Sequence, residues 1–163
     1  MAGVRALIVT GCLAQRYAAE LALELPEVDA FLGVASYSRL LDAIHTALSG
    51  KKYVCCDRVD DDLTARVLTT PGHLAFVRIA DGCSNFCSYC AIPYIRGSLK
   101  SRRMDSILSE LADLRAAGVA EAVLVAQDTT RYGEDIGGAA LPELIDKAAA
   151  VMRGGWLRVM YCY

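Results

Sequence analysis

Short apolar, β-branched runs alternate along this chain with stretches whose apolar residues recur at helical spacing. No other feature restricts the fold as much. A strand followed by a helix returns to pair in parallel, so the alternation predicts α/β architecture. Residues 4–10 read as a buried strand ending at Gly11 and Cys12. A helix over 14–25 follows, with Leu13, Tyr17, Leu21 and Leu25 at helical spacing, and Pro26 stops it. Residues 29–33 form a second strand. Ser36 is the expected cap of a helix running through Leu48, with Tyr37, Leu40, Leu41, Ile44 and Leu48 on one face and Gly50 at its end.

Residues 51–72 break the pattern. Asp57, Asp60, Asp61 and Asp62, then Thr69, Thr70, Pro71 and Gly72, predict an exposed linker with at most an edge strand at 53–55. The reading therefore divides the chain into 1–50, a linker over 51–72, and 73–163. In the last part 74–80 is a buried strand. Asp105 begins a helix with the face Ile107, Leu108, Leu111 and Leu114, closed by Gly118. Residues 122–126 are a strand, 127–133 a polar loop, and Pro142 opens a helix carrying Leu144, Ile145, Ala148, Val151 and Met152. Residues 157–161 are the last strand. Strand, helix, strand, helix, strand is the opening of a β/α barrel, whose active-site groups sit on loops after the strands' C-terminal ends. The chemically rich stretches 81–103 and 127–133 both fall there. Three strands do not close a barrel, so an internal portion of a longer protein is expected.

Composition excludes several classes. The chain carries 17 basic and 19 acidic residues, which gives no global bias toward nucleic acid or membrane. The apolar stretch 6–9 is far shorter than the ~20 residues of a membrane span. Hydrophobic residues make up 55%, ample for buried cores. Seven cysteines is an odd number, and no signal-peptide pattern is seen, so a disulfide framework is not expected. The expected compartment is the cytoplasm, where thiols stay reduced.

Cys83, Cys87 and Cys90 stand in a C-x-x-x-C-x-x-C run. Three thiolates so close together suit an iron–sulfur cluster. A closed zinc site needs a fourth ligand, and the nearest candidate, His73, is well upstream. With three protein ligands, one iron of a cluster is left open for a cofactor or substrate. A basic group, Arg96, Lys100, Arg102 and Arg103, follows the loop. It reads either as a solvated rim or as part of the site.

The three-cysteine spacing resembles that of the radical S-adenosylmethionine (SAM) superfamily. Residues 9–17 (Val-Thr-Gly-Cys-Leu-Ala-Gln-Arg-Tyr) resemble the N-terminal domain of the methylthiotransferases, and Cys83 through Arg103 resemble the start of their radical SAM domain. The runs 126–133 and 156–161 are similar to the branch that modifies an aspartate of ribosomal protein uS12. The branch that modifies tRNA adenosine usually carries a different run at 127–132, and it is the alternative, together with an inactive cluster-binding fragment. The resemblance implies the C-terminal part of an open α/β N-terminal domain followed by the first half of a partial (β/α) barrel. It further implies that Cys83, Cys87 and Cys90 hold a 4Fe–4S cluster and that SAM chelates its open iron, with Tyr89 packed near the adenine. Cys12 matches the third ligand of a second 4Fe–4S cluster, whose other two ligands would precede Met1. Implied partners are uS12 on the small ribosomal subunit and an electron donor, with no membrane. Gln127 and Asp128 either contact SAM or substrate, or cap the next segment. Cys55, Cys56 and Cys162 are read as structural thiols, and Arg131 and Tyr132 receive no role beyond marking the branch.

Overall fold

The computed structural model describes residues 3–57, 66–137 and 140–163. They form two compact units, Met1–Asp62 with Tyr94–Arg96, and Leu63–Pro93 with Gly97–Tyr163. Asp60, Asp61 and Asp62 of the predicted linker lie outside the described residues.

In the first unit, β1 (Ile8–Thr10), α1 (Cys12–Glu24), β2 (Ala30–Leu32), α2 (Leu40–Leu48) and β3 (Tyr53–Cys55) follow one another. The sheet order is β1-β2-β3, with both pairs parallel. All three residues of β2 are buried, as befits a central strand covered on both faces. Alternation along the strand sends Phe31 to one face and Ala30 and Leu32 to the other. Phe31 packs with Ala14, Val28 and the α1 residues Leu21 and Leu25. Ala30 and Leu32 pack with Ala43 of α2 and with Tyr53 and Cys55 of β3.

Four local expectations are corrected. The strand expected over 4–10 contracts to Ile8–Thr10, because only these residues register against β2, and Val4 is 65% exposed. Helix α1 kinks at Tyr17 (φ −129°, ψ 27°). Leu13 and Tyr17 consequently point outward, and Ala14 takes the buried place. Ser36 does not cap a helix. Its hydroxyl donates to the Asp57 carbonyl at 2.8 Å, and a 3-10 turn over Tyr37–Arg39 precedes α2. Finally, Ala43 and Ala47 are the buried residues of α2, while Leu40, Leu41 and Leu48 are exposed. Small side chains let the helix lie close on the sheet, whereas periodicity gives most weight to the large residues.

The second unit begins with β4 (Leu74–Arg78), followed along the chain by β5 (Ala80–Asp81), α3 (Ile92–Arg96), of which Tyr94–Arg96 belong to the first unit, and β6 (Lys100–Ser101). Then come α4 (Met104–Ala116), β7 (Glu121–Val125), α5 (Leu141–Val151) and β8 (Trp156–Val159). Strands β4, β7 and β8 form a parallel sheet in that order. The strand expected over 74–80 is split at Ile79, after which β5 turns away to pair antiparallel with β6. The β5/β6 pair and α3 are too short to show any periodicity.

Register explains the two faces of this sheet. Ala75, Ala122 and Leu157 stand in one row and Val77, Leu124 and Val159 in another, and all pack into the core built with Ile107 and Leu111 of α4 and Leu144 and Ala148 of α5. The alternate residues Phe76, Arg78, Trp156 and Arg158 of the flanking strands emerge on the opposite face and are exposed, while Val123 of the central strand between them is buried. The chain is thus mixed α/β with parallel sheets. Among the described residues, no helix is long and apolar enough to cross a membrane.

Candidate cofactor site

Because β4, β7 and β8 are parallel, their C-terminal ends lie on one side of the sheet. The first end leads into the cysteine loop, the second into Gln127, and the third into 160–163. The neck of the cysteine loop is held by backbone. Gly82 has φ +73°, and a Cβ there would stand 2.2 Å from the Ser98 carbonyl oxygen, so only glycine fits. Cys83 N donates to the Gly97 carbonyl at 3.0 Å, and Leu99 N donates to Ser84 Oγ at 3.0 Å. Within the loop Cys90 N donates to the Cys87 carbonyl at 2.9 Å, closing a turn. Phe86 takes a left-handed conformation, φ 48°, which is uncommon for a bulky residue.

Cys83, Cys87 and Cys90 line one cavity of about 790 Å³. Its remaining wall comes from Phe76 and Arg78 of β4 and from Val125, Ala126 and Gln127 after β7. All seven cysteines of the chain are free thiols. Among the described residues no three His, Cys, Asp or Glu side chains converge as ligands of a single ion. A cluster asks something else of its ligands: each thiolate binds its own iron, so the sulfurs are spread round the cluster. Three thiols distributed along one cavity wall fit that donor set. Tyr89 is 90% exposed at the cavity edge. The charge of Cys87 pushes its phenol above the usual range.

The two residues after β7 differ in environment. Gln127 lines the cavity, and its Oε1 is buried with no hydrogen-bond partner. An orphaned acceptor of that kind costs free energy unless a ligand donates to it. Asp128 is buried and does not belong to the cavity wall. Its carboxylate accepts from Thr130 N at 3.1 Å and Thr130 Oγ1 at 2.5 Å, capping the 3-10 turn Thr129–Arg131. It also accepts from Asn85 Nδ2 at 3.0 Å. Burial pushes this carboxyl up, but the hydrogen bonds from Thr130 and Asn85 and the charge of Arg131 outweigh it and hold the group below its ordinary value.

Cys12 stands at the start of α1 in the first unit and is exposed. Cys55 packs beneath α2. The Cys56 thiol donates to the Ala14 carbonyl at 3.5 Å, and burial pushes it up. Cys162 is exposed rather than buried, 3.3 Å from Thr129 Oγ1. Within the basic group, Arg102 serves the fold. It donates to the Arg78 carbonyl at 2.8 Å and Ser106 Oγ at 3.0 Å, and pairs with Glu110 at 2.6 Å. Arg103 pairs with Asp105 at 2.7 Å. Sequence reasoning missed Asn85, which reads there as a spacer between ligands, and it missed Arg131 as more than a marker of the branch.

The second unit is thus a parallel α/β sheet that leads into a three-cysteine loop over a cavity. No family model matches the chain, but individual relatives do. It is 48% identical over 163 residues to the ribosomal protein uS12 methylthiotransferase RimO of Clostridium tetani, covering 98% of this chain and 37% of that protein. The RimO proteins of Heliobacterium modesticaldum and Desulforamulus reducens are 49% and 46% identical, again over 98% of this chain, of which it covers 35% and 37%. The chain is thus similar to these methylthiotransferases along nearly its whole length, and it spans a little over a third of the length of these curated relatives.

Proposed function

We propose that the chain carries the cofactor-binding part of an enzyme that adds a methylthio group to the β-carbon of an aspartate in ribosomal protein uS12. The observation that carries this reading is the cavity lined by three free thiols and by Gln127, whose buried Oε1 has no hydrogen-bond partner, in a chain 48% identical to a uS12 methylthiotransferase. When bound, a reduced 4Fe–4S cluster and SAM supply a radical able to take hydrogen from an unreactive carbon. The protein's part is to hold and orient them.

Cys83, Cys87 and Cys90 hold the cluster and leave one iron for SAM. Gln127 Oε1 accepts from the cofactor or substrate, and Asp128 shapes the adjoining turn. Tyr89 covers the cavity edge on the side where adenine packs. Cys12 serves a second cluster, with the remaining ligands supplied elsewhere. Residues 1–50 form the C-terminal part of the methylthiotransferase N-terminal domain, 51–72 a linker, and 73–163 the first half of a (β/α) barrel. The order β4-β7-β8, each strand beside the next in sequence, supports the barrel. A cytoplasmic location, with the small ribosomal subunit and an electron donor as partners, completes the proposal.

Anaerobic loading with ferrous iron and sulfide tests the site. The native chain should take up one oxygen-labile cluster at the loop, and Cys83→Ala, Cys87→Ala and Cys90→Ala should each lose it. Unchanged iron in all three variants would defeat the assignment. For the substrate, mass spectrometry of uS12 and of tRNA after turnover should show a methylthio group on the uS12 aspartate alone. A modified adenosine with unchanged uS12 would move the protein to the tRNA branch.

A further inference from the structure

Asn85 lies between Cys83 and Cys87, and its side-chain amide is engaged at both ends. Its Nδ2 donates to Asp128 Oδ2 at 3.0 Å, and its Oδ1 accepts from Arg131 Nη1 at 2.5 Å. Arg131 is fixed on its other edge, where Nε donates to Glu134 at 2.7 Å. Asp128 is locked in turn by Thr130. These bonds join the cysteine loop to the turn after β7, two segments 43 or more residues apart in sequence. A bonded chain of this length fixes more than any single contact, because each member orients the next. Glu134 first, and then the charges of Asp128 and Cys83, raise the Arg131 guanidinium above its ordinary value against the effect of burial. The bond to Asn85 sets the Arg131 guanidinium against the cysteine loop, two residues along from Cys83.

We propose that Asn85, Asp128 and Arg131 form a clamp that fixes the cysteine loop against the turn after β7, and that Arg131, so held, is a positioning residue that raises the reduction potential of a cluster on that loop. This rests on the reading of the loop as a cluster site. A positive charge beside a cluster favours the reduced, more negative form. Neutralising Arg131 also removes the charge that opposes the Asp128 carboxylate bonded to Asn85 of the loop, which moves the potential further in the same direction. Asn85 carries no charge and acts by holding Arg131 and the loop in place.

The test has two arms on the full 163-residue chain. In the iron-free chain, hydrogen exchange of amides 83–90 is compared between the native protein and Asn85→Ala. Loss of protection in the variant supports the clamp, and unchanged exchange overturns it. In the chain loaded anaerobically with ferrous iron and sulfide, the midpoint potential is measured for the native protein, Arg131→Gln and Arg131→Lys. We expect a shift to more negative potential in Arg131→Gln and substantial recovery in Arg131→Lys. An unchanged potential in Arg131→Gln at native iron content overturns the electrostatic role. Iron loading lost in Arg131→Gln but restored in Arg131→Lys supports it. Loss in both, with circular dichroism showing an unfolded chain, assigns Arg131 to folding and overturns it. A native chain that takes up no iron defeats the functional reading and the electrostatic role with it, while the iron-free arm still decides the clamp.

Discussion

Each unit of this protein is built round three parallel strands in sequence order, yet the two sheets are finished differently. In the first, Phe31 and its neighbours Ala30 and Leu32 are buried on opposite faces beneath α1 and α2. In the second, α4 and α5 cover one face, and Phe76 and Arg78 on the other face the cavity with the cysteines. The same strand-helix-strand physics thus gives a closed layer in one place and an open one in another. The uncovered face, at the C-terminal ends of the strands, is where this chain gathers thiols and an unpartnered amide oxygen.

The sharpest way to break that comparison uses the two mid-strand phenylalanines. Phe31 is 2% exposed and Phe76 is 42% exposed. Phe31→Ala should cost about 3–5 kcal/mol in urea unfolding, the range for a buried aromatic. Phe76→Ala should cost about 1 kcal/mol, since much of its area already faces solvent. Equal losses would mean that the second sheet is closed on both faces after all.

Two glycines give the next largest effect. A Cβ at Gly82 meets the Ser98 and Gly97 carbonyl oxygens at 2.2 and 2.6 Å, and φ is +73°. A Cβ at Gly33 in the first unit meets Gln15 Oε1 at 2.1 Å, the end of a side chain that can move, and the Cys56 Cα at 3.1 Å. Gly82→Ala should therefore cost more than about 1 kcal/mol and also lower iron uptake. Gly33→Ala should cost less and leave iron uptake intact. Thermal unfolding together with iron counting measures both.

The smallest effect is electrostatic. Asp128 is held below its ordinary value in the folded chain, so it contributes stability above the unfolded carboxyl pKa of about 3.9. That contribution disappears as pH falls through the lower folded value. Asp128→Asn should lower stability at neutral pH and flatten the acidic limb of the curve. Denaturation midpoints from pH 7 downward would show it, and parallel limbs for native protein and Asp128→Asn would count against the carboxylate's role.

How much was legible in the sequence varies by element. The face of α4, with Ile107, Leu111 and Leu114 buried, was readable because large apolar residues at helical spacing leave few other arrangements. The start of α5 at Pro142 was readable for a similar reason, since proline suits the first helical turn. By contrast the buried faces of α1 and α2 were misread. There alanines take the buried places. Leu13 and Tyr17 of α1 and Leu40, Leu41 and Leu48 of α2 are exposed, and of the leucines only Leu21 and Leu25 pack inward. Periodicity does not reveal which neighbour a helix will meet.

By itself the sequence determined the α/β alternation, the cysteine spacing and the resemblance to methylthiotransferases, because each is a pattern within contiguous residues. Tertiary structure alone decided that Gln127 Oε1 is buried without a partner, that Asp128 is a bonded cap, and that Asn85 bridges Asp128 and Arg131. It also turned Arg102 from a candidate site cation into a partner of Glu110. The physical reason is range. Strand and helix preferences act over a few neighbouring residues, whereas a buried polar group is satisfied or left unpaired by partners that folding brings from far along the chain.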